Sequence, residues 1–255
     1  MSKILVIPDT QVKRGVCLDH LRYAGMWAAE KRPDVIVQLG DFADMESLSS
    51  YDIGKRDFEG RRYTTDIEIA KEAMRIFMEP IIAEQQKIIR CKEKRWKPRM
   101  ILTLGNHEQR INKAVNNDPK LDGLISINDL EYSRWGWEVY PFLEVVVIDG
   151  VAFSHYFVSG VLGRPVTSAR MLTTKHHMSC IAGHQQGKDI AYSQAADGRR
   201  ITSIISGSFY SHTENYLNAQ TNIHWRGIWQ LNEVNEGAFD EMPLSLEYLR
   251  RKYGC

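Results

Sequence analysis

The sequence predicts an α/β fold, a four-layer α/β/β/α sandwich of two mixed sheets with helices outside. Three observations lead there. Short, β-branched apolar runs bounded by Gly, Pro or Asp recur along the 255 residues, as strands do. The early runs are near-continuously apolar, the pattern of strands buried on both faces. Their order is strand–helix–strand first and hairpins later, which calls for two mixed sheets.

Strands are expected at 3–8, 34–39, 99–104, 143–148, 151–155, 179–182 and 201–206. Between the first two, Leu18 to Lys31 reads as a helix that ends before Pro33. A longer helix is expected to begin near Thr65-Asp66, because Ile67, Ala70, Met74, Phe77, Ile81 and Ile88 recur at roughly helical spacing. Thr65 and Glu68 suit a capping box, and Pro80 a kink. The helix is expected to end in the basic run Lys92 to Lys97, before Pro98, where cations complement its dipole. Asp149-Gly150 between two apolar runs is a hairpin signal.

Two polar segments fit no element: Phe42 to Tyr63, with Arg56, Arg61 and Arg62, and Gln109 to Tyr140, with Trp135, Trp137 and Tyr140. Both are expected as rims or lids inserted at 42–63 and 109–140. Residues 213–255 read as a C-terminal extension, and no linker divides the chain, so 1–255 is expected as a single domain.

Composition is that of an ordinary soluble globular protein, 43% hydrophobic and 25% charged. A net charge of +1 gives no global pull toward nucleic acid or membrane. Cys17, Cys91, Cys180 and Cys255 form no Cys-x-x-Cys pair and read as reduced thiols. No leader and no membrane-length apolar run is visible, so a cytoplasmic protein with no membrane partner is expected.

Five strand ends carry polar side chains of one chemistry. Asp9 follows Ile4-Leu5-Val6-Ile7, Gly40-Asp41 follows Val35 to Leu39, and Gly105-Asn106-His107-Glu108 follows Met100 to Leu104. His155 closes Val151 to Ser154, and Gly183-His184 closes Cys180-Ile181-Ala182. Open α/β sheets place ligands beyond the carboxyl ends of their strands, so the five tips can share one crevice. Two carboxylates, an amide and two imidazoles together suit divalent metals.

The order of these blocks resembles the calcineurin-like metallophosphoesterase superfamily, in its small bacterial and phage forms, from residue 4 to about Ser208. The superfamily's motifs Asp-x-His, Gly-Asp, Gly-Asn-His, a lone His and Gly-His-x-His correspond here to Asp9-Thr10-Gln11, Gly40-Asp41, Gly105-Asn106-His107, His155 and Gly183-His184-Gln185-Gln186. Ser206-Gly207-Ser208 looks like the small-residue turn that often ends the fold.

The resemblance implies two divalent metals bridged by Asp41, one of them held by Asp41, Asn106, His155 and His184. The other would use Asp9, position 11, Asp41 and position 186. Both of those positions are Gln, which departs from the pattern. An amide oxygen is a weak, hard donor, so that site is expected to be weak and to suit Mn²⁺ or Mg²⁺ better than Zn²⁺, with Mn²⁺ preferred and Fe possible.

By the same resemblance His107 is the general acid at the leaving group. Arg110 and Arg164 are expected to bind phosphate, and Asp44 and Glu108 to orient His107 or a metal ligand. His176-His177 reads as structural and His212 as a rim position. The implied reaction is phosphoester hydrolysis by a metal-bound hydroxide, on a phosphodiester such as DNA, RNA or a nucleotide. A phosphomonoesterase or protein phosphatase stands as the alternative, although Asp44-Met45-Glu46 departs from the phosphatase motif Asp-Arg-Gly. A non-catalytic module with a decayed site is the third reading.

Overall fold

The computed structural model describes residues 1–50, 54, 58–213 and 224–254. A six-stranded sheet has the order β13-β12-β1-β2-β3-β4 and a five-stranded sheet the order β10-β11-β9-β6-β5. In the first sheet β1 (Ser2–Ile7), β2 (Val35–Gln38), β3 (Arg99–Thr103) and β4 (Trp137–Tyr140) run parallel, while β12 (Gly227–Asn235) and β13 (Ala238–Ser245) are antiparallel additions. In the second, β6 (Val151–Ser154), β9 (Ser179–Ala182) and β11 (Arg200–Ser206) are parallel. Antiparallel β5 (Val146–Ile148) and β10 (Lys188–Gln194) flank them. A two-stranded hairpin, β7 (Val158–Ser159) and β8 (Arg164–Pro165), stands apart.

Alternation along β1 explains the layers. Leu5 and Ile7 face a core shared with α1 (Asp19–Lys31), α2 (Tyr63–Arg90) and α5 (Leu246–Tyr253) through Leu21, Trp27, Met74, Phe77 and Leu249. Ile4 and Val6 face the other way, toward Phe153, Ile181, Ile204 and Trp229 between the two sheets. A third core packs Ala169 and Leu172 of α4 (Ala169–His176) on Cys180, Ala182 and Ile205. The result is the four-layer α/β/β/α sandwich. Each Val, Leu, Ile, Phe or Met side chain so buried contributes about 1.5–3 kcal/mol relative to exposure.

The helix pair α1–α2 is drawn close by Gly25. A Cβ there would lie 2.3 Å from the Phe77 carbonyl oxygen. The Asp149-Gly150 turn forms as expected, with φ of 46° and 85° between β5 and β6.

Several elements differ from the sequence reading. Helix α2 starts at Tyr63, and Arg62 caps it without a side-chain bond, so the Thr65–Glu68 box does not form. Tertiary anchoring sets that start, because the Tyr63 hydroxyl donates to Asp129 at 2.6 Å. The helix runs through Pro80 and ends at Arg90, leaving 92–97 beyond it. The strand expected from 143 begins at Val146, after Leu143 turns to φ 69°. Segment 109–140 supplies α3 (Gln109–Asn117) and β4, which extends the first sheet. The stretch read as an extension supplies β12, β13 and α5, and β12 pairs directly with β1. In segment 42–63, Arg56 lies outside the described residues.

Candidate metal centre

Parallel pairing brings the five tips together. Ile7 is level with Gln38, and Gln38 with Leu102, so the chain leaves β1, β2 and β3 on one edge. Ser154 is level with Ala182 in the facing sheet, which brings His155 beside Gly183. Backbone bonds lock the loops: Gln11 N–H donates to Asp41 O at 2.8 Å, and Gly183 N–H to His155 O at 2.9 Å.

Ligating atoms of Asp41, His155 and His184 all lie within 4.8 Å of one another. Asn106 Oδ1 is 3.0 Å from His155 Nε2, and Asp41 Oδ2 is 3.4 Å from the same nitrogen. His155 Nδ1 sits 2.7 Å from the Leu39 carbonyl, which can only accept, so Nδ1 carries a proton and Nε2 is the nitrogen aimed at the cluster. Two glycines allow the close approach. A Cβ on Gly105 would fall 2.1 Å from Asp41 Oδ1, and one on Gly183 2.4 Å from Asp9 Oδ1.

The electrostatics are those of a site short of positive charge. Burial lifts the Asp9 carboxyl, with the nearby Asp41 adding to the lift, to about 7. Burial also opposes ionisation of Asp41, yet the His107 and His155 imidazoles hold it far below the usual carboxylate range. His155 would be lowered by burial, but Asp41 raises it to about 9. Burial lowers His184 to about 4, so this imidazole is neutral and ready to ligate at neutral pH. Buried carboxylates that draw protons onto the imidazoles beside them, as Asp41 does with His155, are an arrangement a divalent cation relieves by taking the place of those protons. The donor set Asp41, Asn106, His155 and His184 therefore fits a metal.

His107 stands next to this cluster. Its Nδ1 lies 2.7 Å from Asp44 Oδ1, and its Nε2 is 3.7 Å from Asp41 Oδ2 and 3.3 Å from Arg110 Nη2. Asp44 is pinned by Lys13 at 3.1 Å, and its backbone carbonyl accepts from Arg110 at 2.8 Å. Burial would lower His107, but the Asp41 and Asp44 carboxylates raise it, favouring the protonated ring. Glu108 does something different. Its carboxylate accepts from the backbone N–H groups of Asp41 (3.0 Å), Ala43 (2.9 Å) and Gly105 (2.9 Å), clamping the Asp41 loop to the Asn106 turn.

The other half of the site is made of amides. Gln11 and Gln186 are buried and line the same cleft as Asp41, Asn106, His107 and His184. Gln186 Oε1 accepts from the Tyr210 hydroxyl at 2.7 Å, so its oxygen already has a partner. Both Asp9 oxygens accept from the His184 N–H, at 3.0 and 3.1 Å. This donor set fits a metal less well than the Asp41–His184 set. Gln11, Asp41, His184 and Gln186 all have positive φ (41°, 49°, 65° and 57°), a left-handed conformation that costs non-glycine residues energy and collects at functional sites.

Arg110 lines the cleft, whereas Arg164 lies exposed on β8, outside the residues that line it. His176 packs on Phe157 at 5.0 Å, and His177 ends α4 at φ 53°. His212 lines the cleft, stacked on Tyr210 at 4.4 Å. The sequence reading missed Lys13, Arg14, Tyr210 and His224. For Lys13 and Arg14 a signal existed, a basic pair just after the first motif.

No protein-family model and no curated protein matches the chain. Among solved structures, one crystal structure aligns over 96% of this chain and 99% of its own at 10% identity, with a TM-score of 0.45. A dimetal phosphatase from Danio rerio aligns over 96% of both chains at 12% identity, with a TM-score of 0.39. Among the described residues no helix is long and apolar enough to cross a membrane.

Proposed function

We propose that this protein is a metal-dependent phosphoester hydrolase of the cytoplasm whose substrate is a phosphodiester, in nucleic acid or a nucleotide, and that its whole chain is one catalytic domain. The observation that carries the reading is the convergence of Asp41, His155 and His184 within 4.8 Å, with His107 beside them. The cluster opens into a cleft of about 1170 Å³ lined also by Lys13, Arg14, Arg61, Arg62 and Arg110. A cleft of that size exceeds what a single small phosphate ester fills. Part of its positive charge is already paired, as Lys13 lies 3.1 Å from Asp44 and 3.7 Å from Glu46.

Asp41, Asn106, His155 and His184 would hold one divalent ion, and Asp9, Gln11 and Asp41 a second, weaker one. A divalent metal there would supply Lewis acidity and an acidified water. Mn²⁺ suits the mixed oxygen and imidazole donors. His107 donates a proton from Nε2 to the departing oxygen, since its Nδ1 is engaged by Asp44. Asp44 positions that ring, Arg110 offers its guanidinium to the phosphate from beside it, and Glu108 keeps Asp41 and Asn106 in register.

The test is hydrolysis of bis(p-nitrophenyl) phosphate, p-nitrophenyl phosphate, and single- and double-stranded DNA with Mn²⁺, Mg²⁺ or Zn²⁺. The diester and DNA should be cleaved best, with Mn²⁺. Preference for the monoester would move the reading to a phosphomonoesterase, and no cleavage with any ion would remove it.

A further inference from the structure

One side chain in the cleft has its acceptor end tied and its donor end open. Gln186 is only 8% exposed and lines the cleft. Its Oε1 accepts from the Tyr210 hydroxyl at 2.7 Å, and that hydroxyl lies 2.7 Å from His224 Nδ1. A phenol has one proton to give. With that proton directed to Gln186, His224 Nδ1–H donates to the phenol oxygen, and the relay runs His224 to Tyr210 to Gln186. The Gln186 Nε2 has no acceptor among the described residues. Tyr210 is itself fully buried, with His212 stacked at 4.4 Å and the Arg226 guanidinium 5.1 Å from its ring centre. The backbone is fastened too, since Trp225 N–H donates to Gln186 O at 3.0 Å.

We propose that Gln186 is a hydrogen-bond donor to a phosphate oxygen of the substrate, positioned by Tyr210 and His224, and not a metal ligand. The inference rests on the phosphoester reading above and deepens it. A carboxamide carries its oxygen and nitrogen on opposite sides. When the oxygen is held by a phenol, the open side presents N–H dipoles that attract an anionic oxygen and repel a cation. The reverse orientation, with oxygen toward the cleft, requires Tyr210 to give its proton to His224 and would make Gln186 a metal ligand. The two orientations therefore predict opposite binding behaviour.

Two calorimetric titrations separate them: Mn²⁺ into chelator-stripped protein, and inorganic phosphate into the Mn²⁺-loaded protein. They are run on the wild type, Gln186→Met and Tyr210→Phe. Gln186→Met keeps the length of the side chain and removes both polar ends. It should leave Mn²⁺ stoichiometry and affinity unchanged and weaken phosphate about tenfold, the scale of a hydrogen bond to a charged group. Tyr210→Phe keeps the ring in its packing and should weaken phosphate by about threefold, as for a neutral hydrogen bond lost from an orienting partner, again with Mn²⁺ unchanged. Should Gln186→Met fail to fold, Tyr210→Phe decides alone. A change in Mn²⁺ binding with phosphate unaffected, or no change in either, overturns the assignment. If the wild type takes up neither Mn²⁺ nor phosphate, the hydrolase reading itself falls. Wild-type binding of both, with unaltered variants, removes only the role of Gln186.

Discussion

The two halves of the site share a backbone and differ in their side chains. On one side Asp41 and His184 have φ of 49° and 65°, and on the other Gln11 and Gln186 have 41° and 57°. The same left-handed turns are thus kept in both halves. Around the first lie two imidazoles, one of them with Nδ1 held by Leu39 O at 2.7 Å. Around the second lie amides, one with its oxygen held by Tyr210. Strained turns persist only where surrounding bonds determine them. The left-handed turns and the side chains able to bind an ion are therefore separable properties of this site.

The largest effects belong to the imidazole half. Asp41→Asn and His184→Ala should each abolish metal-dependent hydrolysis, and elemental analysis should find their metal content reduced. Normal metal content in His184→Ala would dissolve the contrast between the halves.

His107→Ala comes next, with turnover down by about two to four orders of magnitude and metal content intact. The loss should be much smaller on a nitrophenyl diester, whose leaving group needs no proton, than on DNA. Equal losses on both would assign His107 to phosphate positioning.

Glu108→Gln should act on stability, because its amide nitrogen would face either the Ala43 N–H or the Asp41 and Gly105 N–H groups, whichever oxygen it replaces. Leaving such groups unsatisfied costs about 1–3 kcal/mol, read as a lower Tm at about 2–4 °C per kcal/mol for a chain of this size. An unchanged Tm would mean that the clamp does not hold the Asp41 loop.

The smallest effect is a gain. The double change Gln11→His and Gln186→His should tighten the weaker Mn²⁺ site, since imidazole is the stronger ligand, and each single change should do less than half as much. Two tight sites in the unmodified protein would erase the distinction between the halves.

The parts of this design that were legible in the sequence are local. Asp9, Asp41, Asn106, His155 and His184 each follow an apolar run, so strand pattern and chemistry coincide within a few residues. What escaped is set by distance. Tyr210 meets Gln186 across 24 positions, and Glu108 reaches Asp41 across 67, with nothing nearby to signal either bond. Strand β4 hides in Trp137-Glu138-Val139-Tyr140, four residues of mixed polarity that become a strand by pairing with β3. β12 and β13 were passed over because they lie beyond Ser208, where the resemblance stops, although β12 completes the pairing of β1. The start of α2 failed for a similar reason, since Tyr63 is anchored by Asp129 and not by a local cap.

Metal restoration decides whether the working metal sits at Asp41, Asn106, His155 and His184. Protein stripped by a chelator is titrated with Mn²⁺ while hydrolysis of bis(p-nitrophenyl) phosphate is followed, for the wild type and for His184→Ala. The stripped protein should show no activity, the wild type should recover fully, and His184→Ala should recover none at the same Mn²⁺ concentrations. Hydrolysis that survives the chelator, or that returns equally in His184→Ala, would contradict that placement of the metal.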